Sequence, residues 1–275
     1  MVRYGFHGTC PLRLGSATVT CRQLGECNPL TGKLRIGVLF PGYSAEDDYP
    51  RIAATLQPPI EAIVVHTSIG EDAHRADALM DTGATWRLLE GAEQVRSLRP
   101  AVVMWACTSG SFVFGLGGAT VQAKAIEHSL SIPASSTSLA FVSAVRALGL
   151  TRVAIAATYP DDVAQLFQNM LAEAGIVTVS CGALEIITGV EVGTVAKDRV
   201  IAHAKASDHP DAEAILIPDT ALHTVAVLDE LEVSTGKTVL TANQVTVWEA
   251  MRLAGRLSPQ QGLGRLFREG SVVAV

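Results

Sequence analysis

Short apolar runs rich in β-branched residues alternate with amphipathic segments of helical length from Leu34 onward. This alternation is typical of βα units, in which each buried parallel strand is followed by a helix that covers the sheet. The pattern therefore predicts an α/β fold. Strands are expected at residues 35–40, 62–66, 101–106, 132–135, 152–157, 177–180, 214–218 and 238–240. Helices are expected at residues 86–98, 119–129, 138–149, 161–174, 195–206, 221–233 and 243–254.

The two halves of the chain resemble each other. Residues 34–41 and 151–160 each place a basic residue before a short apolar strand and a proline after it. Further along each half, a strand ends in an ionisable residue followed by threonine, at Cys107 in the first half and Asp219 in the second. We therefore predict two pseudo-symmetric lobes, each a parallel sheet flanked by helices, with an active site in the cleft between them.

The expected division of the chain has three parts. Residues 1–33 form an irregular N-terminal extension, residues 34–149 an N-terminal α/β lobe, and residues 150–275 a C-terminal α/β lobe. The extension carries Gly, Thr and three cysteines without clear periodicity.

Composition excludes several classes of partner. The formal net charge of −6 argues against nucleic acid or an anionic membrane surface as the main partner. The sequence has no apolar run long enough to span a bilayer and no signal-peptide pattern, so we expect a cytoplasmic protein. Five cysteines without zinc-site spacing predict free thiols and no metal. The apolar content of 48% allows a homodimer.

Cys107 is the first candidate catalytic residue. It follows an apolar run and precedes Thr108, Ser109 and Gly110, at the strand end where open α/β sheets bind ligands. A thiol there can act as an acid, a base or a nucleophile, and the hydroxyls and backbone N–H groups beside it can stabilise an oxyanion. The alternative is a buried structural cysteine in a chain that merely turns at glycine.

Asp219 is the second candidate catalytic residue, and Thr220 beside it is expected to contact the substrate. Two acidic groups facing each other in a dry cleft cannot both ionise cheaply, so one of them holds its proton. This pairing favours a protonated Cys107 and an ionised Asp219 on opposite faces of a planar intermediate. The alternative role of Asp219 is to cap the helix predicted at 221–233.

Two loops supply further candidate substrate-binding residues. The loop after the first strand contains Pro41, Gly42 and Tyr43, with Ser44 next to them, and is expected to close on a substrate carboxylate. Tyr159 lies in the equivalent loop of the second half and can donate a phenolic hydrogen bond.

Other polar residues receive structural interpretations. His66, His223 and Cys181 are expected to be solvated or structural, and Asp161 and Asp162 to stabilise a helix start. The glycine runs at 115–118 and 262–264 do not follow a strand in a dinucleotide-binding arrangement, so nucleotide binding is rejected.

Several segments together resemble the aspartate/glutamate racemase superfamily, in particular the branch of maleate isomerases and arylmalonate decarboxylases. The resemblance extends over residues 34–255, and ectoine-utilisation proteins of this branch are similar too. Its carriers are residues 106–112 (Ala-Cys-Thr-Ser-Gly-Ser-Phe), 147–154 (Ala-Leu-Gly-Leu-Thr-Arg-Val-Ala), 158–163 (Thr-Tyr-Pro-Asp-Asp-Val), 187–193 (Ile-Thr-Gly-Val-Glu-Val-Gly), 215–222 (Ile-Leu-Ile-Pro-Asp-Thr-Ala-Leu) and 247–255 (Val-Trp-Glu-Ala-Met-Arg-Leu-Ala-Gly).

The resemblance implies an enzyme that uses no metal or organic cofactor and moves a proton at a carbon beside the carboxylate of a small acid. Isomerases and racemases of the superfamily usually have a cysteine in each lobe, and arylmalonate decarboxylases have one, in the second lobe. This chain departs from both patterns, with Cys107 at the first position and Asp219 at the second. The resemblance also places Thr188 and Gly189 near the cleft.

Three functions follow from these residues. The first is an isomerase or racemase that acts on a small dicarboxylic or amino acid derivative. The second is decarboxylation of a malonate-like acid, with Cys107 delivering the proton and Phe112, Val113 and Phe114 forming an apolar pocket. The third is a non-catalytic protein that binds a small carboxylate in the same cleft.

Overall fold

The computed structural model describes residues 32–270. The predicted extension at 1–33, including Cys10, Cys21 and Cys27, lies outside the described residues except for its last two positions. The first half of the chain contains, in order, β1 (Arg35–Pro41), α1 (Asp48–Thr55), β2 (Glu61–Thr67), α2 (Ala76–Thr82), α3 (Thr85–Arg96), β3 (Val102–Trp105), α4 (Ser109–Phe112), α5 (Gly115–Leu130), β4 (Ala134–Ser136) and α6 (Thr137–Ala147). The second half contains β5 (Arg152–Ala157), α7 (Asp161–Glu173), β6 (Val177–Ala183), α8 (Gly189–Val192), α9 (Lys197–Ser207), β7 (Ala214–Ile217), a 3-10 turn (Val225–Val227), α10 (Leu228–Thr235), β8 (Thr238–Thr241), α11 (Ala242–Leu253) and α12 (Gly264–Glu269).

Each half forms a four-stranded parallel sheet, and the two sheets have equivalent strand orders. The first order is β2-β1-β3-β4 and the second is β6-β5-β7-β8. The strands β3 and β7 are buried along their whole length, because helices cover both faces of each sheet. The predicted α/β fold with two equivalent lobes is confirmed.

Helices α6 and α11 pack against each other and join the two halves. The hydroxyls of Thr137 and Thr246 lie 2.6 Å apart in a buried hydrogen bond between these helices. At the start of α11, the Asn243 amide donates to the buried Asp48 carboxylate of the first half at 3.1 Å. These buried polar contacts fix how the lobes face each other, since an unmade partner in a dry interface is unfavourable.

The helix predicted at 221–233 is wrong in its first part. A short 3-10 turn begins at Val225, and α10 begins only at Leu228. The N–H groups of Thr224 and Val225 donate instead to the Asp48 carboxylate, at 2.9 and 3.3 Å. Contact with the other lobe therefore replaces helical hydrogen bonding in residues 219–224.

The helix predicted at 119–129 begins four residues earlier, at Gly115. Glycine-rich sequence has low helix propensity. Here the Leu116 N–H donates to the Glu173 carboxylate of α7 at 2.9 Å, so a tertiary contact supports the first turn. All other predicted elements have bounds within three residues of the observed ones. Five helices of eight residues or fewer were not predicted, since they are too short to show periodicity: α1, α2, α4, α8 and α12.

Within residues 32–270, none of the helices combines the length and apolar character needed to cross a bilayer.

Candidate active site

A cavity of about 190 Å³ lies between the two lobes. Loops that follow β1, β2 and β3 form one wall, and loops that follow β6 and β7 form the other. A cavity of this volume suits a small ligand. The lining residues are Phe40, Pro41, Gly42, Tyr43, Ser44, Ile69, Glu71, Asp72, Ala73, His74, Leu79, Thr82, Cys107, Ser109, Gly189, Val190, Asp219, Thr220 and Ala221.

Cys107 lies between the end of β3 and the start of α4, and only 5% of it is exposed. Its sulfur accepts a hydrogen bond from the Gly110 N–H at 3.2 Å and lies 3.8 Å from the Ser109 hydroxyl oxygen. The pKa of the thiol is raised to about 11, mainly by burial and to a smaller extent by the negative charge of Asp219, while the two hydrogen bonds act in the opposite direction. Cys107 is therefore a protonated thiol at neutral pH. The expected protonation state agrees with this result, but burial contributes more to it than Asp219 does.

Asp219 follows β7, at the position in the second sheet that corresponds to Cys107 in the first. It is buried, and its Oδ2 accepts a hydrogen bond from the Thr158 hydroxyl. Its Oδ1 accepts the Ala221 N–H at 2.9 Å. The capping role considered for Asp219 is wrong, because these contacts form a tight turn and no helix begins there. Asp219 makes no ion pair with the described cations, so hydrogen bonds alone hold the carboxylate at the cavity.

Pro41, at the end of β1, lines the cavity together with Gly42 and Tyr43 of the loop that follows. Gly42 has a φ of +67°, which favours glycine at this turn. His66, at the end of β2, places its Nδ1 2.6 Å from the Gly42 carbonyl oxygen, and its ring stacks on Tyr43 at 4.2 Å. His66 thus supports this loop and is not among the lining residues.

Ser109 and Thr220 also line the cavity, one in each lobe. Their hydroxyls can donate hydrogen bonds to a ligand carboxylate. Ser44, in the loop expected to close on a substrate carboxylate, and Thr82, at the end of α2, which the sequence analysis did not name, add hydroxyls to the same wall.

Four of the predicted substrate-binding residues are not among those that line the cavity. The Gly110 N–H is used by the Cys107 sulfur, so it does not serve as a free oxyanion donor. The Tyr159 hydroxyl donates to the Pro218 carbonyl behind the wall, and burial raises the pKa of this phenol well above its usual value. Thr188 caps α8 by accepting the Glu191 N–H at 3.2 Å.

The fourth of these residues, Thr108, is buried directly behind the lining residues Cys107 and Ser109. Its hydroxyl has no hydrogen-bond partner among the described residues. An unmade hydrogen bond at a buried hydroxyl is unfavourable, so this group is available to a ligand or a water that reaches it.

The cavity also contains residues that the sequence did not reveal. Glu71, Asp72 and His74 lie in the loop after β2, which has neither strand nor helix periodicity. Their position in the sequence could have indicated this role, because polar residues in the loop after a parallel strand lie near the ligand-binding edge of the sheet.

The apolar part of the lining differs from the prediction. It comprises Phe40, Ile69, Leu79 and Val190, together with two alanines. The predicted apolar residues Phe112, Val113 and Phe114 are not among the lining residues, because α4 turns them away from the cavity. Phe112 packs between Tyr159 and Phe167, and Phe114 is exposed.

The other polar residues that the sequence analysis interpreted as structural do not line the cavity. His223 pairs with Asp47 at 2.9 Å, and Asp162 accepts the Val163 N–H at the start of α7. Cys181 lies within β6 and does not line the cavity. Among residues 32–270 there is no group of three or more His, Cys, Asp or Glu side chains arranged to hold a metal ion.

Sequence and structure comparisons agree on one group of enzymes. The family model for arylmalonate decarboxylase matches residues 82–267. Arylmalonate decarboxylase of Bordetella bronchiseptica is 30% identical over 240 residues, which cover 85% of this chain and 96% of that protein. A maleate isomerase of Nocardia farcinica is 26% identical over 186 residues, which cover 66% of this chain and 74% of that protein.

The fold comparison gives the same result. A crystal structure of a doubly substituted arylmalonate decarboxylase in its liganded form matches with a TM-score of 0.77 and 27% identity. The match covers 86% of this chain and 100% of that chain, so it includes both lobes.

Proposed function

The chain belongs to the arylmalonate decarboxylase family, and we propose that it is a cofactor-independent enzyme that transfers a proton at the carbon alpha to the carboxylate of a small acid. The resemblance drawn from its motifs is confirmed by these matches. The observation that carries the proposed reaction is that Cys107 and Asp219, which follow equivalent strands of two lobes, line one cavity. The reaction we favour is inversion or isomerisation through a planar intermediate.

In this reaction Asp219 is the base and Cys107 the acid. The carboxylate of Asp219 removes the proton from the alpha carbon, and the C–H electron pair moves into an enediolate. The Cys107 thiol then delivers its proton to the other face of that carbon and becomes a thiolate. Because the pKa of the thiol is high, its proton is available at neutral pH. The hydrogen bond from the Gly110 N–H stabilises the negative charge that develops on sulfur.

The enediolate needs hydrogen-bond donors at both carboxylate oxygens. Ser109 and Thr220 line the cavity from the two lobes and can supply one hydroxyl each. The Thr108 hydroxyl, buried behind Ser109 and without a partner among the described residues, would be a third donor to a ligand that reaches it. Removing one donor of this kind typically slows the chemical step by about 100-fold or more.

Decarboxylation is the second candidate, and the family membership favours it. One proton donor suffices for that reaction, so Cys107 would protonate the enediolate that remains after carbon dioxide leaves. The apolar side chains of Phe40, Ile69 and Leu79 give a desolvated surface against which a carboxylate is a good leaving group.

The two reactions give different products in D₂O. Inversion exchanges the alpha hydrogen of a monocarboxylate for deuterium without gas release, and decarboxylation releases carbon dioxide from substituted malonates. NMR of a panel of small acids measures the first reaction, and carbon dioxide release measures the second. We expect Cys107→Ala and Asp219→Asn to lower the exchange rate by about 100-fold or more, as for loss of an acid or a base.

Each outcome of this experiment has a defined meaning. An undiminished exchange rate in Cys107→Ala contradicts the proposed reaction. Carbon dioxide release that needs Cys107 but not Asp219 favours decarboxylation. Binding of small acids without any turnover indicates the non-catalytic alternative. We also propose a cytoplasmic location, which the buried free thiol of Cys107 supports, because reducing conditions preserve it.

A further inference from the structure

We propose that the substrate of this site carries, at its end away from the reacting carboxylate, a hydrogen-bond donor such as an amine or a hydroxyl, and not a second carboxylate. This inference rests on the proposed function, and it names the class of acid the cavity selects. The residues that carry it are Glu71, Asp72 and His74.

The strand order gives the cavity two ends. Cys107 and Asp219 follow the inner strands β3 and β7. The loop that contains Glu71, Asp72 and His74 follows the edge strand β2, two strands away from β3. Neighbouring strands lie about 4.8 Å apart, so the ends of β2 and β3, from which the two groups of residues extend, are separated by roughly 10 Å at the sheet edge. The first group forms the reacting end, and the second forms the distal end.

His74 presents an acceptor at the distal end. Its backbone N–H donates to the Ile187 carbonyl at 2.8 Å, and its Nδ1 lies 2.8 Å from the Ile186 carbonyl oxygen. A carbonyl only accepts, so Nδ1 carries a proton, and in that tautomer the lone pair of the ring is on Nε2. The Tyr159 ring meets the imidazole edge to face at 4.8 Å and holds its orientation. Nε2 makes no hydrogen bond with the described residues, and the ring lines the cavity.

Glu71 and Asp72 add negative charge to the same end. Asp72 accepts the N–H groups of Gly189 and Val190 at 2.8 and 3.0 Å, which leaves further lone pairs on both oxygens. Glu71 pairs with the exposed Arg75, which does not line the cavity.

The described lining residues include three carboxylates and one histidine but no lysine or arginine. A second substrate carboxylate would meet the Asp72 carboxylate at the distal end, and the cation there, Arg75, is paired with Glu71 and does not line the cavity. An ammonium or hydroxyl group there would instead meet acceptors. The lining therefore favours an acid whose distal end carries a donor and no carboxylate.

The test compares acids that share a carboxylate and differ at the distal end. Isothermal titration calorimetry measures binding of 3-aminopropanoate, 3-hydroxypropanoate, butanoate and succinate, with 4-aminobutanoate and glutarate as a longer pair. We expect the amines to bind at least about 10-fold more tightly than the diacids, because opposite charges attract and like charges repel at short range. Equal or tighter binding of the diacids, or binding of none of these acids, overturns the inference.

Matched variants test which residues cause the preference for an acid with a distal donor. His74→Asn can keep a donor to Ile186 but removes the Nε2 acceptor, and Glu71→Gln removes one charge. Asp77→Asn is the control, because Asp77 also pairs with Arg75 yet does not line the cavity. We expect 3-aminopropanoate to bind about 5-fold or more weakly to the first two variants and within about 2-fold of normal to the control. Melting curves establish that each variant is folded, and equal binding to all three variants contradicts the inference.

The same titrations separate this inference from the proposed function. Binding that follows the expected pattern, without alpha-hydrogen exchange in D₂O, refutes the enzyme and leaves the distal selection intact. Exchange that occurs while succinate binds more tightly than 3-aminopropanoate refutes the selection and leaves the enzyme intact.

Discussion

The backbone N–H of Gly110 donates a hydrogen bond to the sulfur of Cys107, with 3.2 Å between the nitrogen and the sulfur. This bond favours the thiolate, and burial of the side chain favours the thiol. Burial has the larger effect and raises the pKa to about 11. Cys107 is therefore protonated in the resting protein, and its thiolate is expected to be short-lived. An acid in a proton-transfer cycle needs both properties.

The first prediction concerns alkylation of Cys107. Only the thiolate reacts with iodoacetamide, and its fraction rises with pH until the pKa is passed. With a pKa of about 11, about one Cys107 in a thousand is ionised at pH 8. We expect slow labelling at pH 7–8 that accelerates about 10-fold per pH unit up to about pH 11. Mass spectrometry of the peptide that contains Cys107 measures the rate, and rapid labelling at pH 7 would contradict the geometry.

The second prediction couples Cys107 to Asp219. The negative charge of Asp219 raises the pKa of the thiol, so Asp219→Asn removes that contribution and lowers the pKa. We expect labelling of Cys107 to reach half its maximal rate at a lower pH than in the unsubstituted protein. Asp211→Asn is the control, since Asp211 is exposed and does not line the cavity. An unchanged midpoint in Asp219→Asn would mean that the two groups do not share one electrostatic environment.

The sequence predicted these two central residues but not the distal end of the cavity, for a physical reason. Cys107 and Asp219 each terminate a buried apolar strand, and strand ends are visible as a change from apolar to polar residues. Parallel pairing then brings such ends to one edge. Glu71, Asp72 and His74 sit in a loop whose conformation is set by contacts with residues 186–190 of the other lobe. No local pattern encodes such contacts.

The same reason explains why the sequence did not show that Gly110, Tyr159 and Thr188 lie outside the cavity lining. Their residue types were suited to hydrogen bonding, and each does form such a bond. The partners are other protein groups, and only the folded structure shows that these donors and acceptors are already used.

The third prediction concerns Thr158, whose hydroxyl donates to the buried Asp219 carboxylate. Thr158→Val keeps the side-chain shape but leaves the carboxylate without this donor. Loss of a hydrogen bond to a buried charge destabilises a protein by about 1–3 kcal/mol. Because Thr158 orients the base and does not line the cavity, we expect kcat to fall about 10-fold or more with a smaller change in KM.

Thr158→Ser is the matched control, because it restores the hydroxyl. We expect this variant to recover most of kcat and most of the melting temperature. A normal kcat in Thr158→Val would show that orientation of Asp219 does not depend on this contact.

The fourth prediction tests the close approach of two glycines behind Cys107. A Cβ added at Gly83 would overlap the Gly110 carbonyl oxygen and press on the Gln122 amide. That amide donates to the Gly83 and Gly110 carbonyls at 2.7 and 2.8 Å, so the substitution also disturbs both of these hydrogen bonds. We expect Gly83→Ala to destabilise the fold by about 1–3 kcal/mol, as for insertion of an atom into a packed region.

Displacement of Gly110 in this variant should also affect the Cys107 thiol, because the Gly110 N–H donates to the Cys107 sulfur. A longer N–H to sulfur distance removes stabilisation of the thiolate, so Gly83→Ala is expected to label with iodoacetamide more slowly and to turn over more slowly. Gly117→Ala is the control, since Gly117 lies in α5 with no atom within 4 Å of an added Cβ. Alanine there favours the helix by up to about 1 kcal/mol. We expect the melting temperature to fall in Gly83→Ala and to rise in Gly117→Ala, and labelling to slow only in Gly83→Ala. This result would establish that the position of Gly110 requires glycine at 83. The chemistry of Cys107 would then depend on that glycine too.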